Sequence, residues 1–170
     1  MNEEIPFVRK ALEFYNGRRR EAIDLGCGYG RNALYLEKCG FDVTAIDVRK
    51  KCLDEIRKSS RNIVTINDDV TKIKFEKEYD FILCTFLLHF FEKRVAINLL
   101  KNMVENLAKD GVLAIALIKK DGRISVSELR KEVADLKVAI SEERVVHDGP
   151  HEGMEYPHDH DIFYFVGVKK

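Results

Sequence analysis

Ile23-Asp24-Leu25-Gly26-Cys27-Gly28-Tyr29-Gly30 is the stretch whose reading decides the fold. Glu21 to Leu25 is a short apolar run of strand length, and Asn32 to Cys39 has helical spacing with a stop at Gly40. A strand passing through a glycine-rich turn into a helix opens a ligand-binding α/β unit. Glycine permits the tight turn and lets a ligand reach the main chain without meeting a Cβ. Working outward, the unit repeats. Phe41 to Asp47 reads as a strand, Lys50 to Lys58 as a helix, and Asn62 to Asn67 as a third strand. Tyr79 to Thr85 is a fourth strand, Val95 to Leu107 a helix closed by Lys109-Asp110-Gly111, and Val112 to Ile118 a fifth strand. Upstream, Ile5, Val8, Leu12 and Tyr15 predict a helix within the lead-in 1–20. Downstream, a helix near Val126 to Asp135 precedes strands at Leu136 to Glu142 and His160 to Val168, joined by a loop with Gly149, Pro150, Gly153 and Pro157. Two strands with no helix between them pair antiparallel. The expected fold is therefore α/β and Rossmann-like: a mostly parallel seven-stranded sheet with a C-terminal antiparallel hairpin and helices on both faces. One domain over residues 1–170 is expected.

The loop itself separates two ligand classes. Asp24 stands two residues before the first glycine, where a carboxylate repels a pyrophosphate but suits the ammonium group of an amino acid. The spacing is GxGxG, and Arg31 occupies the place of the third glycine of a dinucleotide site, where a large side chain obstructs close helix–strand packing. S-adenosylmethionine, with an ammonium and a sulfonium and no pyrophosphate, fits this loop better than a nicotinamide dinucleotide. Asp47 closes the second strand, where a carboxylate can accept from both ribose hydroxyls. Asp69 follows the third strand, where it can accept from an adenine amino group beside apolar Val70; the plainer reading of Asp68 and Asp69 is a turn or helix cap. Cofactor contacts are expected at Asp24, Leu25, Gly26, Cys27, Gly28, Gly30, Arg31, Asn32, Asp47, Val48, Asp69, Val70, Cys84 and Thr85.

Composition narrows the partners. Lys plus Arg and Asp plus Glu both number 29 in 170 residues, so no basic excess supports nucleic-acid binding, and Arg18-Arg19-Arg20 reads as a solvated lead-in to the first strand. The longest apolar runs are strand-sized, so no membrane partner is expected. The opening Met1-Asn2-Glu3-Glu4 lacks the basic region of a signal peptide. Cys27, Cys39, Cys52 and Cys84 form neither a CxxC nor a disulfide framework, which predicts reduced thiols and a cytoplasmic protein.

Asp24 to Leu36, Asp-Leu-Gly-Cys-Gly-Tyr-Gly-Arg-Asn-Ala-Leu-Tyr-Leu, resembles the first motif of class I methyltransferases. The continuation Gly-Arg-Asn-x-Leu-Tyr-Leu is similar to the tellurite-resistance TehB-like family. Phe41 to Asp47, Tyr79 to Thr85 and Glu128-Leu129-Arg130 extend the resemblance, which runs from about Asp24 to the C-terminus. It implies methyl transfer from S-adenosylmethionine, leaving S-adenosylhomocysteine, to a small, soft nucleophile such as a tellurite or selenite oxyanion or a thiol. A non-catalytic S-adenosylmethionine-binding protein is the alternative, and a nicotinamide-dependent oxidoreductase the more distant one.

The acceptor pocket should open beyond the fourth strand, where Cys84-Thr85-Phe86-Leu87-Leu88-His89-Phe90-Phe91 offers desolvation, or plain core packing by its phenylalanines. No Asn/Asp-Pro-Pro-Tyr stretch of amino-group methyltransferases is present. His89, within an apolar run, reads as a buried structural histidine. Four of the five histidines fall in the expected loop 147–160. His151, His158 and His160 are the candidates to orient an acceptor or move a proton. The family resemblance implies a functional His-Arg pair here; His151 is the positional match, followed by Glu152 instead of arginine. A polar surface loop is the plainer reading. The spacing fits no firm metal site, so no metal is expected.

Overall fold

The structure is a computed structural model that describes residues 6–120, 123–149 and 156–170. Seven strands form one sheet in the order β3-β2-β1-β4-β5-β7-β6. β1 (Glu21–Leu25), β2 (Asp42–Ile46), β3 (Val64–Ile66), β4 (Tyr79–Thr85) and β5 (Leu107–Ile118) run parallel. β7 (His158–Val168) lies antiparallel between β5 and β6 (Lys137–Asp148). The expected sheet and hairpin are observed. β6 is thus parallel to β5, and the connection after Asp148 returns at the carboxyl edge, where β1, β2 and β4 also end.

Side chains alternate across the buried strands, so neighbouring residues feed opposite cores. Ala22, Phe81, Leu83 and Ala114 face α1 (Pro6–Leu12), α2 (Arg31–Lys38) and α3 (Lys50–Ser59). Ile23, Ile82, Cys84 and Ile115 face α4 (Lys93–Glu105) and α5 (Val126–Glu132). α1 is held by burial of Phe7, Val8 and Ala11, with the Phe7 and Tyr164 rings 4.9 Å apart. The connection 67–78 between β3 and β4 carries no helix.

The sequence reading overran or fell short at several ends. The first helix stops at Leu12, and the helix expected through Leu107 stops at Glu105 because Leu107 already pairs with Tyr79 in β5. Lys109-Asp110-Gly111, expected to close that helix, lies inside β5. There Asp110 takes a positive φ of 60° and its N–H donates to the Lys169 carbonyl. The hairpin strands are longer than expected: Asp148 pairs with His158 and His147 with Asp159. Those residues therefore belong to strands.

Candidate functional site

Two cavities open at the carboxyl edge of the sheet. One, of about 460 Å³, is lined by Gly26, Asp47, Val48, Asp69, Val70 and Phe86 to Leu87, with Arg49, Phe90 and Phe91. The other, of about 920 Å³, lies toward the hairpin and is lined by Arg31, Phe86, His89, Phe90, Lys119, Lys120, His158 and His160, among others. Phe86 and Phe90 line both, so the segment after β4 is the wall between them. Phe86 pays for this place in backbone strain: its φ is 54°, rare for a bulky side chain, while its N–H donates to the Ala116 carbonyl at 2.7 Å.

Of the glycine loop, Gly26 lines the smaller cavity, while Asp24, Cys27, Gly28 and Gly30 lie behind it. Gly26 has a φ of 69°, and a Cβ there would lie 2.7 Å from Leu87, on the shared wall. Gly30 serves a different end: its φ is 79°, and a Cβ would stand 2.3 Å from Ile56 on α3. The close packing that a dinucleotide site assigns to its third glycine is made here by Gly30, which leaves Arg31 exposed and lining the larger cavity.

Asp24 is 1% exposed, and its Oδ2 has no hydrogen-bond partner. Burial, then the negative charge of Asp47, raise its pKa to about 7, against the pull of the Ala33 N–H and Arg31. A sealed carboxyl with an unused oxygen is a site prepared for a donor, and a cation beside it would restore its charge. Asp47, 4% exposed, is already surrounded by donors. Gly28 N–H donates to Oδ2 at 2.8 Å, Arg49 N–H and Nε to Oδ1 at 2.9 and 3.1 Å, and Arg49 Nη2 to Oδ2 at 3.2 Å. Burial raises its pKa, but these bonds outweigh that effect and hold it below the ordinary value. A ribose diol would share this carboxylate with Arg49, a residue the sequence reading did not single out. Asp69 accepts from the Thr71 N–H and hydroxyl at 2.9 and 2.8 Å, bonds that lower its pKa. The capping role is therefore present at Asp69, and the same residue lines the cavity beside Val70.

The remaining expected positions divide. Val48 is exposed on the cavity rim, and Cys27 is half-buried in the loop, its thiol pushed well up by burial and then by Asp24 and Asp47. Leu25 is sealed in the core, so only its main chain is placed to meet a ligand. Asn32 is buried and donates to Thr85 Oγ1 at 3.4 Å, pinning α2 to the end of β4. Cys84, expected at the pocket, is sealed in the core facing α4, because alternation along β4 turns it from the edge. Neither Cys84 nor Thr85 lines the cavities described.

In the larger cavity, His158 and His160 sit two apart on β7 and share a face. The Tyr156 carbonyl lies 2.9 Å from His158 Nδ1 and can only accept, so that nitrogen carries a proton. In the neutral ring His158 Nε2 then accepts from His160 Nε2, 2.8 Å away. The result is a chain of imidazoles ending on a carbonyl. His151 lies outside the described residues. His147 pairs instead with Asp159. Among the described residues no three His, Cys, Asp or Glu side chains group to hold a metal ion. Lys119 and Lys120, directly after β5, and His89, on a 3-10 turn at Leu88–Phe90, join this cavity unforeseen.

The profile of the Tellurite resistance protein TehB family matches residues 10–123. The probable S-adenosyl-L-methionine-dependent methyltransferase TehB of Haemophilus influenzae (strain 10810) is 35% identical over 106 residues, covering 59% of this chain and 37% of that protein. A ubiquinone biosynthesis O-methyltransferase of Rickettsia canadensis is 28% identical over 118 residues, 66% of this chain and 49% of that one. The crystal structure of Haemophilus influenzae TehB superposes with a TM-score of 0.86 at 22% identity, over 98% of this chain and 63% of that chain. The Burkholderia thailandensis 1,6-didemethyltoxoflavin-N1-methyltransferase, solved with bound 1,6-didemethyltoxoflavin and S-adenosylhomocysteine, gives a TM-score of 0.70 at 19% identity, over 96% and 78% of the two chains. The chain thus spans less than two thirds of either Haemophilus influenzae TehB comparison. The sheet order with its antiparallel β7, the glycine loop and the match over residues 10–123 together place this chain in the TehB family, on the class I methyltransferase fold.

Proposed function

We propose that the chain is a single S-adenosylmethionine-dependent methyltransferase domain acting on a small molecule, with a tellurite- or selenite-type oxyanion or a thiol as acceptor. The observation that carries this reading is Asp24, a buried carboxyl whose Oδ2 is without a partner beside the glycine loop. Its charge suits the ammonium of an amino-acid moiety, and it is wrong for a pyrophosphate. Asp47 and the Gly28 turn would hold the ribose, and Asp69 and Val70 the adenine, within the 460 Å³ cavity. When bound, S-adenosylmethionine supplies an electrophilic methyl group on a sulfonium.

The protein's part is alignment and exclusion of water. Phe86, Leu87, Phe90 and Phe91 form an apolar partition where the two cavities meet. Arg31, Lys119 and Lys120 line the larger cavity and would meet an anionic acceptor, offset in part by Asp159 and Asp161 on the same lining and by Glu143, which pairs with Lys119. His160 and His158 would orient that acceptor or take a proton from it, with the Tyr156 carbonyl holding His158 in its Nδ1–H form, and His151 is proposed to assist them. Four free cysteines suit a reducing cytoplasm. No described helix is long and apolar enough to cross a membrane.

Calorimetric titration with S-adenosylmethionine, S-adenosylhomocysteine and NAD, each alone, tests the cofactor. Binding of both adenosyl ligands and not NAD is expected, followed by methyl transfer to selenite, tellurite or a small thiol. Binding of NAD alone would overturn the assignment.

A further inference from the structure

His89 is 3% exposed, yet it lines the larger cavity from the wall that the two cavities share. Its ring lies 4.2 Å from that of Phe90, which fixes its orientation. Nδ1 is sealed from solvent and has no hydrogen-bond partner, whereas Nε2 is not sealed in this way. A buried N–H with nothing to bond is dearer than a bare ring nitrogen that merely lacks a donor. The single proton of the neutral ring therefore belongs on Nε2, the nitrogen left to face the cavity.

We propose that His89 contacts the methyl acceptor, its Nε2–H serving as a fixed, neutral hydrogen-bond donor to a lone-pair atom at the junction of the two cavities. The proposal rests on the larger cavity being the acceptor's. Burial, and then the positive fields of Lys120, His160 and Arg123, hold the ring neutral by lowering its pKa to about 4. A ring of this kind selects acceptors by their lone pairs. It does not deprotonate them, since Nε2 already carries its proton and Nδ1 is out of reach. Proton removal, where an acceptor needs it, falls to the His158–His160 pair.

The test uses the full chain with 15N-labelled histidine and two-bond 1H–15N spectra. His89 should show the Nε2–H tautomer without change between about pH 5.5 and 8. A proton on Nδ1, or an imidazolium within that range, would overturn the proposal. Sodium selenite, added with S-adenosylhomocysteine present, should then move the His89 Nε2–H resonance. If His158 or His160 responds and His89 does not, the contact is wrong while the acceptor cavity stands. If neither selenite nor 2-mercaptoethanol moves any of the three cavity histidines, the cavity reading falls and takes the contact with it. Among variants, His89→Phe should raise KM for the acceptor about tenfold with S-adenosylhomocysteine affinity unchanged, and His89→Gln, which returns a donor near the Nε2 position, should recover most of it. Equal losses in the two variants would sink the idea.

Discussion

The two cavities at the sheet edge are made in opposite ways. The smaller takes its lining from strand ends that follow one another in the chain, Gly26 in the glycine loop, Asp47 to Arg49, then Asp69 and Val70, with the segment after β4 as its wall. The larger is gathered from Arg31, the segment after β4, the end of β5 and the β6–β7 hairpin, residues that meet only because β7 inserts between β5 and β6. The first is a local motif repeated along one edge. The second is a product of the topology. One chain thus carries one cavity set mainly by consecutive strand ends and another set by the folding of the sheet.

The sharpest way to break this contrast is Gly30→Ala. A Cβ would strike Ile56 at 2.3 Å in a left-handed backbone, so the variant should lose about 3 kcal/mol or more of stability in chemical denaturation. A neutral outcome would mean that α3 yields to the added Cβ and that the close approach of Gly30 to Ile56 is not needed. Asp24→Asn comes next. Keeping the shape and removing the charge should weaken S-adenosylhomocysteine by about a hundredfold in calorimetry, the loss expected for a buried charge-assisted bond.

The same carboxyl sets a pH signature. Its pKa in the folded chain, about 7, lies above the ordinary carboxyl value. The stability it contributes is therefore full below about pH 4 and is lost as pH rises through about 7. Ligand affinity runs the other way, because the ammonium prefers the ionised form. S-adenosylhomocysteine should bind severalfold tighter at about pH 8 than at about pH 6, with proton release at the lower pH, and Asp24→Asn should flatten both trends.

A smaller effect separates the cavities most cleanly. His160→Phe should lower kcat/KM for the acceptor about tenfold while leaving cofactor affinity unchanged. A parallel fall in cofactor affinity would mean that the two sites are not separable. The smallest effect concerns Arg49, whose exposed guanidinium occupies the Asp47 carboxylate. Arg49→Ala should tighten S-adenosylhomocysteine by about threefold, the range of a partly exposed ion pair. Weaker binding would show that Arg49 holds the ligand instead of competing with it.

The same contrast decides what could be read in advance. Asp24, Asp47 and Asp69 were legible because an apolar run of strand length announces where its own carboxyl end lies. Arg49 was hidden in Arg49-Lys50-Lys51, which looks like any solvated helix start. The sheet itself was legible from alternation, but Lys109-Asp110-Gly111 has the composition of a turn and only pairing with the C-terminal strand makes it part of β5. The spacing of His158 and His160 by two carried a readable sign that they share a strand face, and it was masked by neighbouring glycines and prolines that suggested a loop. His89 was judged by the company of Leu87, Leu88 and Phe90; that it lies where the core meets a cavity is knowledge only the folded sheet supplies.

The partition at Phe86 and Phe90 has a bearing on how such a protein diversifies. Any substitution there is felt on both sides at once, so a change that reshapes the larger chamber also reshapes the smaller one. The hairpin bank, with Val145, His158 and Ile162, touches only the larger chamber. Libraries that vary the hairpin and spare the partition should therefore yield altered acceptor range at little cost in cofactor binding, and the two banks should tolerate drift at very different rates.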